Sequence, residues 1–161
     1  MIPIGCFLTS KLELLIIVPF IEFNIFISMK KKILIIEDSE TLGKNYKDIL
    51  THAGYLTKWM PVIQKAENIA NKFPADLLLL DQNFHGHGKD GVEKLDELKK
   101  RFPKSIIIIL SGYSKMDIRA MAVGGEYEKN LVLANGFWEK IDVANEKDLI
   151  ERVNKLFENK S

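Results

Sequence analysis

The chain has 161 residues, 47% of them hydrophobic, which suits one globular domain with a substantial core and some additional segment. Its 23 basic and 22 acidic residues nearly balance, so no nucleic-acid-binding surface is expected. The single cysteine, Cys6, excludes an internal disulfide framework and a cysteine-based zinc site. It favours a reducing, cytoplasmic setting.

The first 28 residues differ in composition from the rest of the chain. They are mostly apolar, but Glu13 and Glu22 interrupt them, and a carboxylate is costly inside a membrane helix. The run from Met29 to Lys32 then leads directly into a strand, as a translation start would. We therefore expect residues 1–28 to be an appended extension or start-site artefact, and residues 29–161 to form the domain. A membrane-associating segment and a packed structural appendage are the alternatives, and membrane contact is expected of no other part.

Short runs rich in β-branched residues then alternate with stretches of helical spacing. Helices are predicted after the first three strands and after the last, with a further helical segment around Met116 to Val123. This alternation predicts an α/β fold with helices on both faces of a parallel sheet, but the pattern alone leaves the strand order open. The predicted strands are Ile33–Ile36, Tyr55–Trp59, Ala75–Leu80, Ser105–Leu110 and Phe137–Glu139.

Polar side chains stand at the ends of four predicted strands. Glu37 and Asp38 follow the first strand, Asp81 the third, Ser111 the fourth and Lys140 the fifth. Because ligands of parallel sheets bind outside the carboxyl ends of the strands, we expect these groups to converge on one pocket.

Each of these groups also has a structural interpretation. The acidic pair can cap the first helix, the serine can end its strand in a turn, and the lysine can be a solvated surface residue. Asp81 is harder to explain in this way, because a carboxylate directly after four leucines needs a cation or a donor as partner. Together, the carboxylates are hard ligands suited to Mg²⁺, and an aspartate can itself accept a phosphoryl group.

The stretch Lys-Lys-Ile-Leu-Ile-Ile-Glu-Asp-Ser-Glu from Lys31 to Glu40 resembles the opening of the response-regulator receiver domain of two-component signalling. The resemblance extends to about Asn159. It implies a flavodoxin-like, doubly wound sheet of five parallel strands in the order 2-1-3-4-5, with the site at the topological switch point.

The resemblance also implies a role for each matched residue. Asp81 corresponds to the phosphoacceptor, Ser111 to the strand-four hydroxyl and Lys140 to the strand-five lysine. Phe137 corresponds to the aromatic residue that changes rotamer on activation, so Phe137 and Ser111 are the expected switch residues.

Magnesium is the cofactor that the resemblance implies. The expected ligands are the carboxylates of Asp38 and Asp81 and the backbone carbonyl of Asn83, with Glu37 acting through a water molecule or from behind the ligands.

The sequence departs from the family pattern in three places. Ile141 follows Lys140 where the family has proline, so a cis peptide bond is not expected there and the aim of the lysine is left open. The loop from Gln82 to Gly91 is longer than the usual form and lacks its proline. The segment between Ser111 and Lys140 is also longer, and we expect the extra residues to reshape a partner-binding surface.

The leading functional expectation is a stand-alone receiver that takes a phosphoryl group on Asp81 from a histidine kinase or phosphotransfer protein. Because the chain ends soon after the last predicted helix, an unknown downstream protein would read the signal. Such a protein is not an enzyme beyond its own phosphorylation and dephosphorylation. One alternative is a Mg²⁺-dependent phosphatase with an aspartate nucleophile, although Asn83 stands where a second aspartate would be wanted. The other is a degenerate docking module that works without phosphorylation.

Overall fold

The protein is described by a computed structural model that covers residues 30–82, 91–113 and 130–159. From Lys31 onwards, these residues belong to one compact unit. The extension predicted at residues 1–28, the residue Asn83 and most of the long segment before the last strand lie outside this coverage. Within it, no helix has the length and apolarity that a membrane crossing requires.

Five parallel strands form one sheet in the order β2-β1-β3-β4-β5. The flavodoxin-like order 2-1-3-4-5 is therefore confirmed. The strands are β1 (Lys32–Ile36), β2 (Leu56–Met60), β3 (Leu77–Asp81), β4 (Ile106–Ser111) and β5 (Gly136–Glu139).

Four described helices accompany the sheet: α1 (Glu40–His52), α2 (Ile63–Ile69), α3 (Leu95–Arg101) and α4 (Glu146–Glu158). A 3-10 helix, Lys140–Val143, joins β5 to α4. Ser39 caps α1, because its hydroxyl accepts a hydrogen bond from the Leu42 amide. Asn145 caps α4, because its side-chain oxygen accepts a hydrogen bond from the Asp148 amide.

The core divides into two clusters, one on each face of the sheet. The first lies against α2 and α3 and includes Leu34, Leu78 and Ile107. The second lies against α1 and α4 and includes Ile33, Leu79 and Ile108. Adjacent residues of a strand face opposite sides of the sheet, and both sides are covered by helices. The three inner strands β1, β3 and β4 are therefore apolar at nearly every position. This is why their sequences are continuous runs rather than alternating ones.

Three predicted boundaries differ from the structure for identifiable reasons. β3 and β4 each extend one residue further than predicted, since the parallel ladder continues through the pairs Asp81 with Leu110 and Ser111 with Glu139. The helix predicted after the third strand, whose apolar positions in the sequence are Val92, Leu95 and Leu98, begins at Leu95 and not at Val92. The turn before it is closed by a short-range bond from the Leu95 amide to the Val92 carbonyl (3.2 Å), which is tighter than an α-helical turn.

Removal of residues 1–28 should leave folding and phosphorylation unchanged. The reason is the change of composition at Met29 and the start of the compact unit at Lys31. A protein that begins at Met29 can be compared with the full chain by thermal unfolding and by labelling with acetyl phosphate. Loss of either property in the shortened protein would show that the segment is a structural element.

Candidate functional site

Three carboxylates meet at the carboxyl edge of the sheet. Glu37 and Asp38 directly follow β1, and Asp81 is the last residue of the neighbouring strand β3. One oxygen from each of these side chains lies within 4.8 Å of the others. Glu37 and Asp81 are buried, whereas Asp38 is half-buried at the mouth of the cluster. The pairing of β1 with β3 is what brings these distant parts of the sequence together.

Lys140 bridges two of the carboxylates. Its Nζ atom lies 2.9 Å from Glu37 Oε2 and 3.0 Å from Asp81 Oδ1. The lysine is the first residue of the 3-10 helix after β5, and the peptide bonds of the described residues are all trans. The expectation of a trans bond before Ile141 is thus confirmed, and the lysine reaches the site without the family's proline.

The electrostatics of the cluster are those of buried charges that share one cation. Burial raises the pKa of Glu37 to about 7, and the charge of Asp81 adds to this effect, while Lys140 opposes it. Burial alone would lower the pKa of Lys140, but its contacts with Glu37 and Asp81 outweigh burial and the pKa is raised. The lysine is therefore protonated throughout the physiological range.

The donor set fits a divalent cation. With every group ionised, three carboxylates and one ammonium carry two net negative charges, which an ion such as Mg²⁺ would balance. The Ser39 amide donates a hydrogen bond of 3.4 Å to Glu37 Oε1.

Magnesium affinity should depend on pH through Glu37. Because its pKa in the folded, metal-free protein is about 7, well above the ordinary 4.5, Glu37 binds a proton as the pH falls below 7. The bound cation disfavours that proton, so affinity should weaken from pH 8 to pH 6, with protons released on binding. Calorimetric titration at the two pH values measures this. Glu37→Gln should remove most of the dependence, and an equally steep dependence in that variant would contradict the assignment.

The two predicted switch residues lie on one face of neighbouring strands. Phe137 pairs with Ile109 in the β4–β5 ladder, and Ser111 is two residues further along β4, so both project from the same side of the sheet. Phe137 is half-buried against the α2–α3 core cluster. Ser111 is fully buried, and its hydroxyl accepts a hydrogen bond of 2.9 Å from the Tyr113 amide.

Gly91 is a site residue that the sequence analysis missed. Its amide donates to the Gln82 carbonyl over 2.6 Å, and a β-carbon at this position would lie only 2.1 Å from the main-chain oxygen of Asp81. The glycine thus lets the chain return directly beneath the end of β3. The Asp-Gly pair at the end of the long loop was the available signal.

Gly91→Ala should destabilise the domain by about 1–3 kcal/mol, because the added methyl group must displace the main chain of Asp81. Chemical denaturation measures the loss, and acetyl phosphate labelling should slow as Asp81 moves. Gly112→Ala is the matched control, since nothing lies within 4 Å of a β-carbon there. Equal effects of the two substitutions would refute the role given to Gly91.

Comparison with known proteins identifies the family to which this site belongs. The model of the response regulator receiver domain matches residues 33–131, more than half of the chain. The chain therefore belongs to the response-regulator receiver family. Receiver domains are the signalling modules of two-component systems. These domains take phosphoryl groups from histidine kinases and bind Mg²⁺ at an acidic pocket.

Individual relatives are distant. A putative NtrX-like response regulator of Rickettsia bellii is 29% identical over 91 residues, which make up 56% of this chain and 19% of that protein. This chain thus spans about a fifth of that relative's length. A CheY-like receiver from Methanospirillum hungatei superimposes with a TM-score of 0.64 at 21% identity, covering 81% of this chain and 95% of that one. The response regulator TrrA of Thermotoga maritima, solved with Mg²⁺ and BeF, superimposes with a TM-score of 0.62 at 25% identity. The match covers 78% of this chain and 98% of that one.

Proposed function

We propose that Asp81 is the phosphoacceptor of this receiver and that the domain transmits the signal by binding a partner protein. The observation that carries the proposal is the position of Asp81. It ends a buried strand, lies 3.0 Å from the ammonium of Lys140, and shares a three-carboxylate cluster with Glu37 and Asp38.

The proposed reaction transfers a phosphoryl group to an oxygen of Asp81, either from an oxygen of an acyl phosphate or from a nitrogen of a phosphohistidine. A carboxylate oxygen of Asp81 forms a bond to the phosphorus of an acyl phosphate or a phosphohistidine. The bond from phosphorus to the donor breaks, and its electron pair leaves with the donor. Little other covalent chemistry is needed, so positioning and neutralisation of charge account for most of the catalysis.

The residues divide this work between them. Lys140 holds Asp81 in place and faces the charge that develops on the transferred group. We propose that Asp38, Asp81 and the backbone carbonyl of Asn83 hold Mg²⁺, with Glu37 behind them. When bound, the ion supplies charge neutralisation for the phosphoryl oxygens. The likeness to a response regulator solved with Mg²⁺ and BeF supports this cofactor.

Phosphorylation would also operate the switch. It adds roughly −1.5 to −2 charge at pH 7, by analogy with other phosphorylated side chains. Lys140 and the Ser111 hydroxyl would turn toward that charge, and Ser111 would give up its bond from the Tyr113 amide. Phe137, on the same side of the sheet, would then rotate into the vacated space.

The partners follow from the family. A histidine kinase or phosphotransfer protein would supply the phosphoryl group, and a downstream protein would read the altered surface around β5 and α4. No contact with nucleic acid is proposed. The cytoplasmic setting stays a prediction from the sequence.

Acetyl phosphate provides the test. Incubation of the protein with this donor and Mg²⁺ should add a single phosphoryl group, detected by intact mass, and omission of Mg²⁺ should prevent the addition. Absence of labelling in the folded, Mg²⁺-bound protein would favour the docking-module alternative. Continuous hydrolysis of unrelated phosphate esters would favour the phosphatase alternative.

A further inference from the structure

The main chain between the first two acidic residues of the site is held by a tryptophan. The indole N–H of Trp59 donates a hydrogen bond of 2.8 Å to the backbone carbonyl of Glu37. Trp59 belongs to the edge strand β2 and pairs with Ile35 in the β1–β2 ladder. The carbonyl that it contacts belongs to the peptide unit joining Glu37 to Asp38, so the bond acts directly on the residue before a proposed metal ligand.

A glycine in α1 makes room for this tryptophan. Gly43 is buried in the second turn of the helix, where glycine is a poor helix former. A β-carbon at Gly43 would lie 2.0 Å from Trp59 Nε1 and 2.4 Å from Cδ1, so the indole rests directly on the helix. Glycine is tolerated at this helical position because it leaves room for the half-buried ring of Trp59.

Other bonds hold the rest of the segment. The Glu37 amide donates to the Met60 carbonyl over 3.2 Å, and the Gly43 amide donates to the Ser39 carbonyl over 2.8 Å. β2 ends at Met60, and its carbonyl accepts from the Glu37 amide at the end of the β1–β2 ladder. The side chain of Trp59 therefore makes a bond at the point where the strand ladder stops.

We propose that Trp59 is a positioning residue for the metal site. The hydrogen bond from its indole N–H and the packing of its ring against Gly43 fix the Glu37–Asp38 peptide unit. The fixed peptide unit in turn orients the Asp38 carboxylate toward Asp81. The inference rests on the proposed Mg²⁺ site. It concerns the residues Trp59 and Gly43 of this chain, which lie outside the carboxylate cluster itself.

The test compares two aromatic substitutions that each remove one hydrogen bond. Trp59→Phe keeps a ring but loses the N–H. Tyr55→Phe, just before the same strand, loses a bond to Asn154 that is remote from the site. Magnesium titration should show about tenfold weaker binding in Trp59→Phe, the usual cost of losing a group that orients a ligand. Tyr55→Phe should bind as the unchanged protein does.

Phosphorylation by acetyl phosphate then separates positioning from chemistry. The Trp59→Phe variant should need more Mg²⁺ for half-maximal labelling, yet reach the unchanged rate at saturating Mg²⁺. Equal Mg²⁺ affinity in the folded variant, or a rate deficit that persists at saturation, would overturn the inference.

A spectroscopic readout does not depend on changing Trp59. The sequence contains two tryptophans, so Trp138→Phe leaves Trp59 as the single indole. In that protein, Mg²⁺ should change the emission of Trp59 and the NMR shift of its indole proton. If the protein binds Mg²⁺ while both signals stay constant, the Trp59 inference fails alone. If neither this variant nor the unchanged protein binds Mg²⁺, the proposed metal site fails, and the inference fails with it.

Discussion

Replacement of Asp81 with asparagine should abolish labelling by acetyl phosphate while leaving the domain folded. The amide has nearly the shape of the carboxylate but is far less nucleophilic, and it cannot form an acyl phosphate by the same displacement. Asp81 is buried at the end of β3, and its partner Lys140 keeps an ion pair with Glu37 in the variant. Intact mass after incubation with donor and Mg²⁺ measures the effect.

Asp48→Asn is the matched control, because this aspartate is exposed on α1 and outside the carboxylate cluster. It should label as the unchanged protein does. Circular dichroism would establish that both variants are folded. Undiminished labelling of Asp81→Asn would move the phosphoacceptor to another residue and would contradict the proposed function.

Replacement of Lys140 with methionine should destabilise the metal-free domain by about 3 kcal/mol at pH 8, since it leaves two buried carboxylates without their cation. The loss should be smaller below pH 7, where Glu37 in the folded protein already binds a proton. Saturating Mg²⁺ should restore part of the stability, because the ion then supplies the missing positive charge. Urea denaturation with and without Mg²⁺ gives these values.

The control for this prediction is Lys155→Met, which removes an exposed ion pair with Glu151 on α4. Exposed pairs contribute about 0–1 kcal/mol, so this variant should show little change. A similarly small change in Lys140→Met would mean that the bridging ion pairs contribute no more than surface ones. The description of the site as a charge cluster that depends on its lysine would then be wrong.

Much of the fold could be predicted because its physical cause is local. Continuous apolar runs are the direct consequence of strands covered on both faces, as in Leu77 to Leu80, and helical spacing follows from amphipathic helices. The strand order came from the family resemblance and not from the pattern. The meeting of Glu37, Asp38, Asp81 and Lys140 could be expected because parallel strands place their carboxyl ends at one edge.

The remaining features depend on contacts that no local pattern records. The bond from Trp59 to the Glu37 carbonyl and the fit of its ring on Gly43 join residues from two elements, and a helical glycine is only an indirect sign of them. The close approach of Gly91 to Asp81 arises in the same way. The aim of Lys140 was left open because the effect of replacing proline with Ile141 depends on how the chain turns after β5.

The position of β1 between β2 and β3 has a consequence for biosynthesis. This strand carries the first two acidic residues of the site and is synthesised before both of its neighbours, since β2 begins at Leu56 and β3 at Leu77. Until those strands leave the ribosome, its Ile-Leu-Ile-Ile run has no partner strand and resembles the segments that aggregate in nascent chains. Lys30, Lys31 and Lys32 stand directly before and at the start of that run. Charges that flank an apolar strand oppose association of nascent chains through their mutual repulsion, and these three lysines occupy such a flanking position.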